Sequence, residues 1–163
     1  LDMNRAAKIV NKENERVAKL IGIKPASRCT TTKPAGTTSL VLGTSSGIHA
    51  WHADHYIRRL RVGKNEAIYN YLLQNHPELV EDEYFRPHDT AVISVPQKSP
   101  ESGITRIESA LNLLERVKDV HTNWVKIGHR SGQNTNNVSA TITVKEHEWD
   151  QVHVLAEHAV FFS

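Results

Sequence analysis

The residues best suited to chemistry lie in one short segment, KPAGTTS at residues 33–39, which SSGIH at residues 45–49 follows. A proline and a glycine there stand beside the small hydroxyl side chains of residues 37–39. A loop of this composition can direct several backbone N–H groups and hydroxyls at one point, which suits a phosphate, above all where a helix begins. The segment lacks the GxxxxGK[ST] spacing of nucleotide hydrolases, and ordinary turns and helix caps use the same residue types. The sequence therefore predicts either an anion-binding loop or a capped turn.

Histidines and one cysteine are the other candidates for ligation or nucleophilic chemistry. His49, His52 and His55 are spaced by three, which suggests a metal site, but this spacing fits one face of a helix poorly. We favour loop histidines that make hydrogen bonds. Cys29 is the single cysteine and has no acid–base partner at a recognisable spacing, so we expect it to pack rather than react.

Two further polar groups have equally open interpretations. Arg58, Arg59 and Arg61 suit phosphate contacts as well as they suit a solvated strand edge. Asn136 and Asn137 could bind a ligand or simply belong to a polar loop that leads into a strand.

Carboxylates cluster at residues 81–83 and at Glu146 and Glu148, outside apolar sequence, so we predict that both groups are solvated.

Composition limits the class of protein. The 163 residues are 39% apolar and 6% aromatic, which predicts one domain with a modest core, or a core completed by other segments. A formal charge of +2 does not favour nucleic acid or a membrane surface as a partner. A single cysteine excludes internal disulfides and cysteine-rich zinc sites. No apolar run approaches the length of a membrane span.

Periodicity and capping residues predict the elements that must position these side chains. Helices are predicted at residues 3–21, 65–75, from Thr105 with Glu108 in a capping box, and at 146–160, with a short turn or helix at 38–42. Residues 55–62 are predicted to be extended, and residues 78–89 to form an acidic loop. The β-branched runs TAVISV at 90–95 and VSATITV at 138–144 predict two buried strands with a helix between them. This βαβ order predicts an α/β domain with a parallel sheet.

Four segments, in order, resemble the adenosylcobalamin-dependent (class II) ribonucleoside-triphosphate reductases. They are RCTTTKPAGTTSL at 28–40, SSGIHAWHADHYIRRLRV at 45–62, TAVISVPQKSP at 90–100 and NNVSATITVKEHEW at 136–149. The first is similar to the substrate-phosphate loop of the family, whose usual core is Lys-Pro-Ser-Gly-Thr-x-Ser. Ala35 stands where that serine is common, which removes one hydroxyl.

The resemblance implies a fold and a set of binding residues. The fold is part of a ten-stranded α/β barrel with parallel strands and crossover helices, of which residues 1–163 would form a single partial domain in the second half. Because the chain opens on Leu1 and closes on VFFS, we expect it to be truncated at both ends. The residues implied to bind the substrate phosphates are Ala35, Gly36, Thr37, Thr38 and Ser39.

The resemblance also implies an activity. The family converts ribonucleotides to 2′-deoxyribonucleotides by thiyl-radical chemistry with adenosylcobalamin as cofactor. The expected partners are a ribonucleoside triphosphate, a thioredoxin-type reductant acting through C-terminal cysteines outside this sequence, and the remainder of the same polypeptide. Neither nucleic acid nor a membrane is expected as a partner, and the expected location is the cytoplasm.

Part of the family's machinery has no counterpart in these residues. Its radical cysteine and catalytic glutamate lie in an Asn-Pro-Cys-x-Glu-type loop upstream of this region, and no such string occurs here. We therefore predict no catalytic residue and no metal ligand in this segment, and expect it to be inactive alone. Two alternatives remain open: a non-catalytic nucleotide-binding module related to the reductase, and the same fold with a diiron or glycyl radical source. Base preference, allosteric sites, cobalamin contacts and oligomeric state do not follow from these motifs.

Overall fold

The structure is a computed structural model that describes residues 2–158, with side chains described up to residue 153. It is a mixed α/β structure, which confirms the α/β class. The chain divides into two compact units. One contains the described residues up to Trp51 together with those from Ile104 onward, and the other contains His52–Gly103.

The first helix, α1, spans Met3–Ile21 and confirms the prediction at both ends. An Asp2 carboxylate oxygen accepts a hydrogen bond from the backbone N–H of Arg5 at 2.9 Å and caps the start. Gly22 adopts a φ of 73° and ends the helix, because glycine enters this left-handed region without steric cost.

Two other helices in this unit, α2 and α4, lie next to the segments singled out in the sequence. The short helix α2 spans Gly36–Leu42, so it begins at Gly36 rather than at Thr38. Helix α4 spans Ala110–Val120 and continues as a π-helical turn over His121–Val125. The predicted start of α4 at Thr105 is wrong. Ser109 caps the helix instead and accepts from the N–H of Asn112 at 3.2 Å.

The second unit is built on a three-stranded sheet. Strands β1 (His55–Gly63), β2 (Val80–Asp82) and β3 (Thr90–Lys98) are antiparallel in the order β1-β3-β2. Helix α3 (Ala67–Asn75) contributes side chains that pack on one face of the sheet. The core of this unit consists of Val62, Ala91 and Ile93, with Tyr69, Leu72, Val80 and Val95 against it.

The predicted parallel βαβ arrangement is wrong for the described residues. β3 has antiparallel partners on both sides, one of them the short β2 inside the segment predicted to be an acidic loop. Within the part of the chain that the structure describes, residues 138–144 form no strand, and an isolated parallel bridge joins Val138 to Thr32. A β-branched run indicates burial and extension, but the direction of pairing depends on partners distant in sequence.

The last described helix, α5, spans Trp149–His158 and follows a 3₁₀ turn at Glu146–Glu148. This agrees with the predicted helix at 146–160, of which Val160 lies outside the described residues. In the part of the chain that the structure describes, none of the helices combines the length and the apolar composition that crossing a bilayer requires.

Candidate functional site

The predicted phosphate loop forms the N-terminus of α2 and presents unpaired donors. Within the described part of the chain, nothing accepts a hydrogen bond from the backbone N–H groups of Gly36, Thr37 or Thr38. The first paired N–H is that of Ser39, which donates to the Ala35 carbonyl at 3.2 Å. The Thr37 and Thr38 side chains are exposed. A first helical turn leaves such N–H groups without partners inside the helix, so they are free for an anion.

Ser39 has a different role from its neighbours. Its side chain is buried, and its hydroxyl donates to the Gly36 carbonyl at 3.3 Å. Ala35 occupies the cap position and has no side-chain group that could satisfy the free N–H donors. Of the five predicted binding residues, Ser39 therefore closes the turn, while residues 36–38 are exposed and their N–H donors have no partner among the described residues.

The chain just before the loop is held on both sides. The Thr30 hydroxyl donates to the Trp124 carbonyl at 2.7 Å, and the Trp124 indole N–H donates to the Thr31 carbonyl at 3.0 Å. On the other side, the Asn136 amide donates to the Thr30 carbonyl at 2.9 Å, and the Thr31 hydroxyl donates to the Asn137 carbonyl at 3.0 Å. Asn136 and Asn137 thus hold residues 30 and 31 by hydrogen bonds. These contacts agree with the prediction that residues 136 and 137 belong to a polar loop.

Gly128 allows the same segment to approach the end of α4. The Cys29 N–H donates to the Gly128 carbonyl at 3.0 Å. A methyl group at Gly128 would lie 2.6 Å from Cγ2 of Thr30, so only glycine fits here. Cys29 itself is partly exposed, and its sulfur lies 3.7 Å from the Ala26 carbonyl. The expectation that Cys29 packs inside the protein is therefore met only in part.

The second motif, SSGIH, lies directly against the first. Gly47 has a φ of 62°, and an added Cβ would stand 3.0 Å from the Lys33 carbonyl oxygen. The loop of residues 43–49 therefore packs backbone to backbone on the residues that lead into α2. The motifs at residues 33–39 and 45–49 are thus in contact. Their spacing in the sequence did not show this contact.

The histidines do not form a metal site in the described residues, where no three His, Cys, Asp or Glu side chains stand together. His49 uses both ring nitrogens: Nδ1 donates to the Ser46 carbonyl at 2.7 Å, and Nε2 accepts from the Thr141 N–H at 2.8 Å. His52 makes an edge contact with Tyr56, with ring centroids 5.5 Å apart. The hydrogen-bonding interpretation is correct for His49.

The arginines of β1 pair across the sheet. Arg59 forms an ion pair with Glu81, and Arg61 forms one with Glu83 at 3.3 Å. Both guanidinium groups are largely exposed. These contacts support the interpretation of Arg59 and Arg61 as residues of a solvated strand edge.

Two carboxylates predicted to be solvated, Glu83 and Glu148, are in fact buried. Burial by itself raises the pKa of Glu83. Hydrogen bonds from the backbone N–H groups of Arg86 and Phe85, together with the charge of Arg61, outweigh burial and hold this pKa below its ordinary value. Glu148 accepts from the Lys145 N–H at 2.9 Å and from the Ala110 N–H at 3.3 Å.

The bond from Lys145 is the main cause that lowers the pKa of Glu148, and the bond from Ala110 acts in the same direction against burial. Glu148 thus joins the starts of two helical segments. The spacing of Lys145 and Glu148 matches a capping box, a signal that the sequence analysis missed because lysine is not a usual cap.

We expect Glu148→Gln to lower the melting temperature by several degrees at pH 7, with a smaller effect in acid. Folding lowers the pKa of this carboxylate, so the ionised group stabilises the protein at pH values above the pKa that it has in the unfolded chain. This stabilisation is lost as the pH falls through the pKa that the group has in the folded protein. Circular dichroism melts at pH 7 and pH 3 measure both values. Glu146→Gln is the matched control, because Glu146 is exposed. A difference between the Glu148 variant and the wild type that is as large at pH 3 as at pH 7 would contradict the assignment.

Comparison with known proteins connects this geometry to a family. No protein-family model matches the chain. A probable adenosylcobalamin-dependent ribonucleoside-triphosphate reductase of Dictyostelium discoideum is 30% identical over 94 residues, covering 55% of this chain and 12% of that protein. Adenosylcobalamin-dependent ribonucleoside-triphosphate reductases of Lacticaseibacillus paracasei and Euglena gracilis are 26% and 27% identical, covering 81% and 83% of this chain.

A solved structure shows the same fold. A B12-dependent (class II) ribonucleotide reductase matches 93% of this chain and 21% of its own, with a TM-score of 0.70 and 24% identity. The chain spans only 12% to 17% of the curated relatives that it matches. The resemblance drawn from the four motifs is confirmed: over most of its length, the chain is similar to one segment of the adenosylcobalamin-dependent ribonucleoside-triphosphate reductases.

Proposed function

We propose that this chain is a segment of an adenosylcobalamin-dependent ribonucleoside-triphosphate reductase and supplies its substrate-phosphate loop. The observation that carries the proposal is the set of unpaired N–H donors on Gly36, Thr37 and Thr38, in a segment that resembles the phosphate loop of the family. The proposal includes the larger barrel to which the segment would contribute, the thioredoxin-type reductant and a cytoplasmic location.

The loop residues bind and orient the substrate. Backbone N–H groups of residues 36–38 and the hydroxyls of Thr37 and Thr38 donate to phosphate oxygens, and the start of α2 adds the positive end of its dipole. Gly36 leaves open space, since an added Cβ there meets nothing within 4 Å. Holding the phosphates in this way would fix the position of the ribose, which is how binding energy contributes to rate.

The described residues show no contact that would assign any of them to the cofactor. Adenosylcobalamin supplies the radical when it is bound. Both ring nitrogens of His49 are engaged by protein groups, so this imidazole offers no free nitrogen to the cofactor. We therefore assign no residue of this segment to the cofactor.

Removing the loop hydroxyls tests the proposal. In the full-length polypeptide, Thr37→Val and Thr38→Val are each expected to weaken binding of a ribonucleoside triphosphate about fivefold, which corresponds to about 1 kcal/mol for one hydrogen bond. Binding of the unphosphorylated nucleoside is expected to stay unchanged, because it lacks the group that the hydroxyls contact. Titration calorimetry with both ligands gives the two affinities.

Thr44→Val provides the matched control, because Thr44 is an exposed threonine just beyond the opposite end of α2. Unchanged triphosphate affinity in both loop variants would remove the hydroxyls from the site. Triphosphate binding by a full-length protein that performs no reduction would instead favour the non-catalytic nucleotide-binding module.

A further inference from the structure

The segment predicted as a strand at residues 138–144 pairs with both sides of the phosphate loop. The Ser139 N–H donates to the Thr32 carbonyl at 2.9 Å, just before the loop. The Thr141 N–H donates to Nε2 of His49 at 2.8 Å, just after it. One short segment therefore contacts the chain both before and after the proposed phosphate loop.

The imidazole of His49 takes the place that a backbone carbonyl would have in a ladder. Because Thr141 supplies an N–H, Nε2 must be the acceptor, and the hydrogen must lie on Nδ1, which donates to the Ser46 carbonyl at 2.7 Å. One neutral tautomer satisfies both contacts. The ring therefore ties residue 141 to the loop of residues 43–49.

That loop in turn rests on the start of the phosphate loop. Gly47 places its backbone so close to Lys33 that a Cβ would stand 3.0 Å from the Lys33 carbonyl oxygen. The Ile48 carbonyl accepts from Nη1 of Arg116 at 3.1 Å, which anchors the same loop to α4. A displacement of His49 would move the surface against which Lys33 packs.

We propose that His49 is a positioning residue for the phosphate loop. Its neutral imidazole holds residues 43–49 against Thr141, and so keeps Lys33 and the free N–H donors of α2 in place for a nucleotide triphosphate. The identity of this ligand rests on the proposed function. His49 makes no contact with the ligand in this role and acts through the backbone on which the donors are carried.

The first test is His49→Phe in the full-length protein, which keeps a planar ring and removes both nitrogens. We expect triphosphate affinity to fall about tenfold, because the Thr141 N–H loses its acceptor and the loop of residues 43–49 loses its support. Amide hydrogen exchange at residues 138–144 is expected to accelerate. His49→Gln restores an acceptor for the Thr141 N–H, and is expected to recover most of the affinity and the protection.

His52→Phe is the matched control, since His52 is exposed and its recorded contact is the ring edge of Tyr56. Unchanged exchange at residues 138–144 in His49→Phe would overturn the proposed contact. Faster exchange with unchanged triphosphate affinity would overturn the positioning role. If the wild-type protein binds no triphosphate, the proposed function itself is overturned. This outcome can be told apart from the two results for the His49→Phe variant.

One measurement needs no variant and so remains decisive if His49→Phe fails to fold. Nitrogen chemical shifts of ¹⁵N-labelled histidine in the wild-type protein report which ring nitrogen carries the hydrogen. We expect the hydrogen on Nδ1 of His49. A hydrogen on Nε2 would overturn the proposal, because the ring could not then accept from Thr141.

Discussion

Replacing Arg116 by methionine is expected to lower the free energy of unfolding by about 2 to 4 kcal/mol. Arg116 forms two hydrogen bonds with the carboxylate of Glu108, at 3.1 and 2.5 Å, and donates a third to the Ile48 carbonyl at 3.1 Å. Its side chain is 24% exposed and that of Glu108 is 11% exposed. Methionine has a similar length but no charge, so Glu108 would keep a poorly hydrated carboxylate without its partner.

The chain contains a matched control for this prediction. Arg16 forms the same kind of forked pair with Glu13, but these side chains are 59% and 57% exposed. Water replaces the partner at such a site, so Arg16→Met is expected to leave stability almost unchanged. Urea unfolding of the two variants compares them directly. Equal stabilities would show that burial does not determine the contribution of the Arg116 pair.

A double substitution distinguishes the contribution of the Arg116–Glu108 ion pair from that of the other contacts of Arg116. Arg116→Met with Glu108→Gln removes both charges, so no unpaired carboxylate remains. The double variant is expected to be more stable than the sum of the two single changes predicts, since contacting residues are not additive. The loss that remains includes the removed hydrogen bond between Arg116 and the Ile48 carbonyl, together with the changed packing.

Replacing Gly128 by alanine is expected to destabilise the protein by about 3 kcal/mol, at the upper end of the usual cost of overpacking. The new methyl group would lie 2.6 Å from Cγ2 and 2.7 Å from Cβ of Thr30. Thr30 cannot move aside freely, because its hydroxyl donates to Trp124 and its carbonyl accepts from Asn136. The Cys29–Gly128 backbone bond holds the two segments at this distance.

Gly36→Ala is the control for this substitution. An added Cβ at Gly36 meets nothing within 4 Å, and alanine is the better helix former, so no loss of stability is expected. Thermal unfolding of both variants measures the difference. A Gly128→Ala variant as stable as the wild type would show that the segment of residues 28–32 can shift away from α4. Triphosphate affinity would then be expected to fall, because the phosphate loop follows that segment directly.

Features that depend on neighbouring residues could be predicted from the sequence. The ends of α1 follow from Asp2 and Gly22, which act on backbone groups within a few residues of themselves. The motif at residues 33–39 is likewise local, and part of it forms the start of α2, where the backbone N–H groups of residues 36–38 have no partner among the described residues. The four ordered motifs were enough to indicate the family, whose members the comparisons then showed to be similar.

Contacts between residues distant in the sequence became visible in the folded chain. The antiparallel direction of β3, the burial of Glu148 and the fit of Gly128 to Thr30 all depend on partners far away in the chain. His49 shows this best, because the sequence predicted that it makes hydrogen bonds but could not identify its partner, the N–H of Thr141. Hydrophobic periodicity predicts that a residue is buried, but packing determines which residues it contacts there.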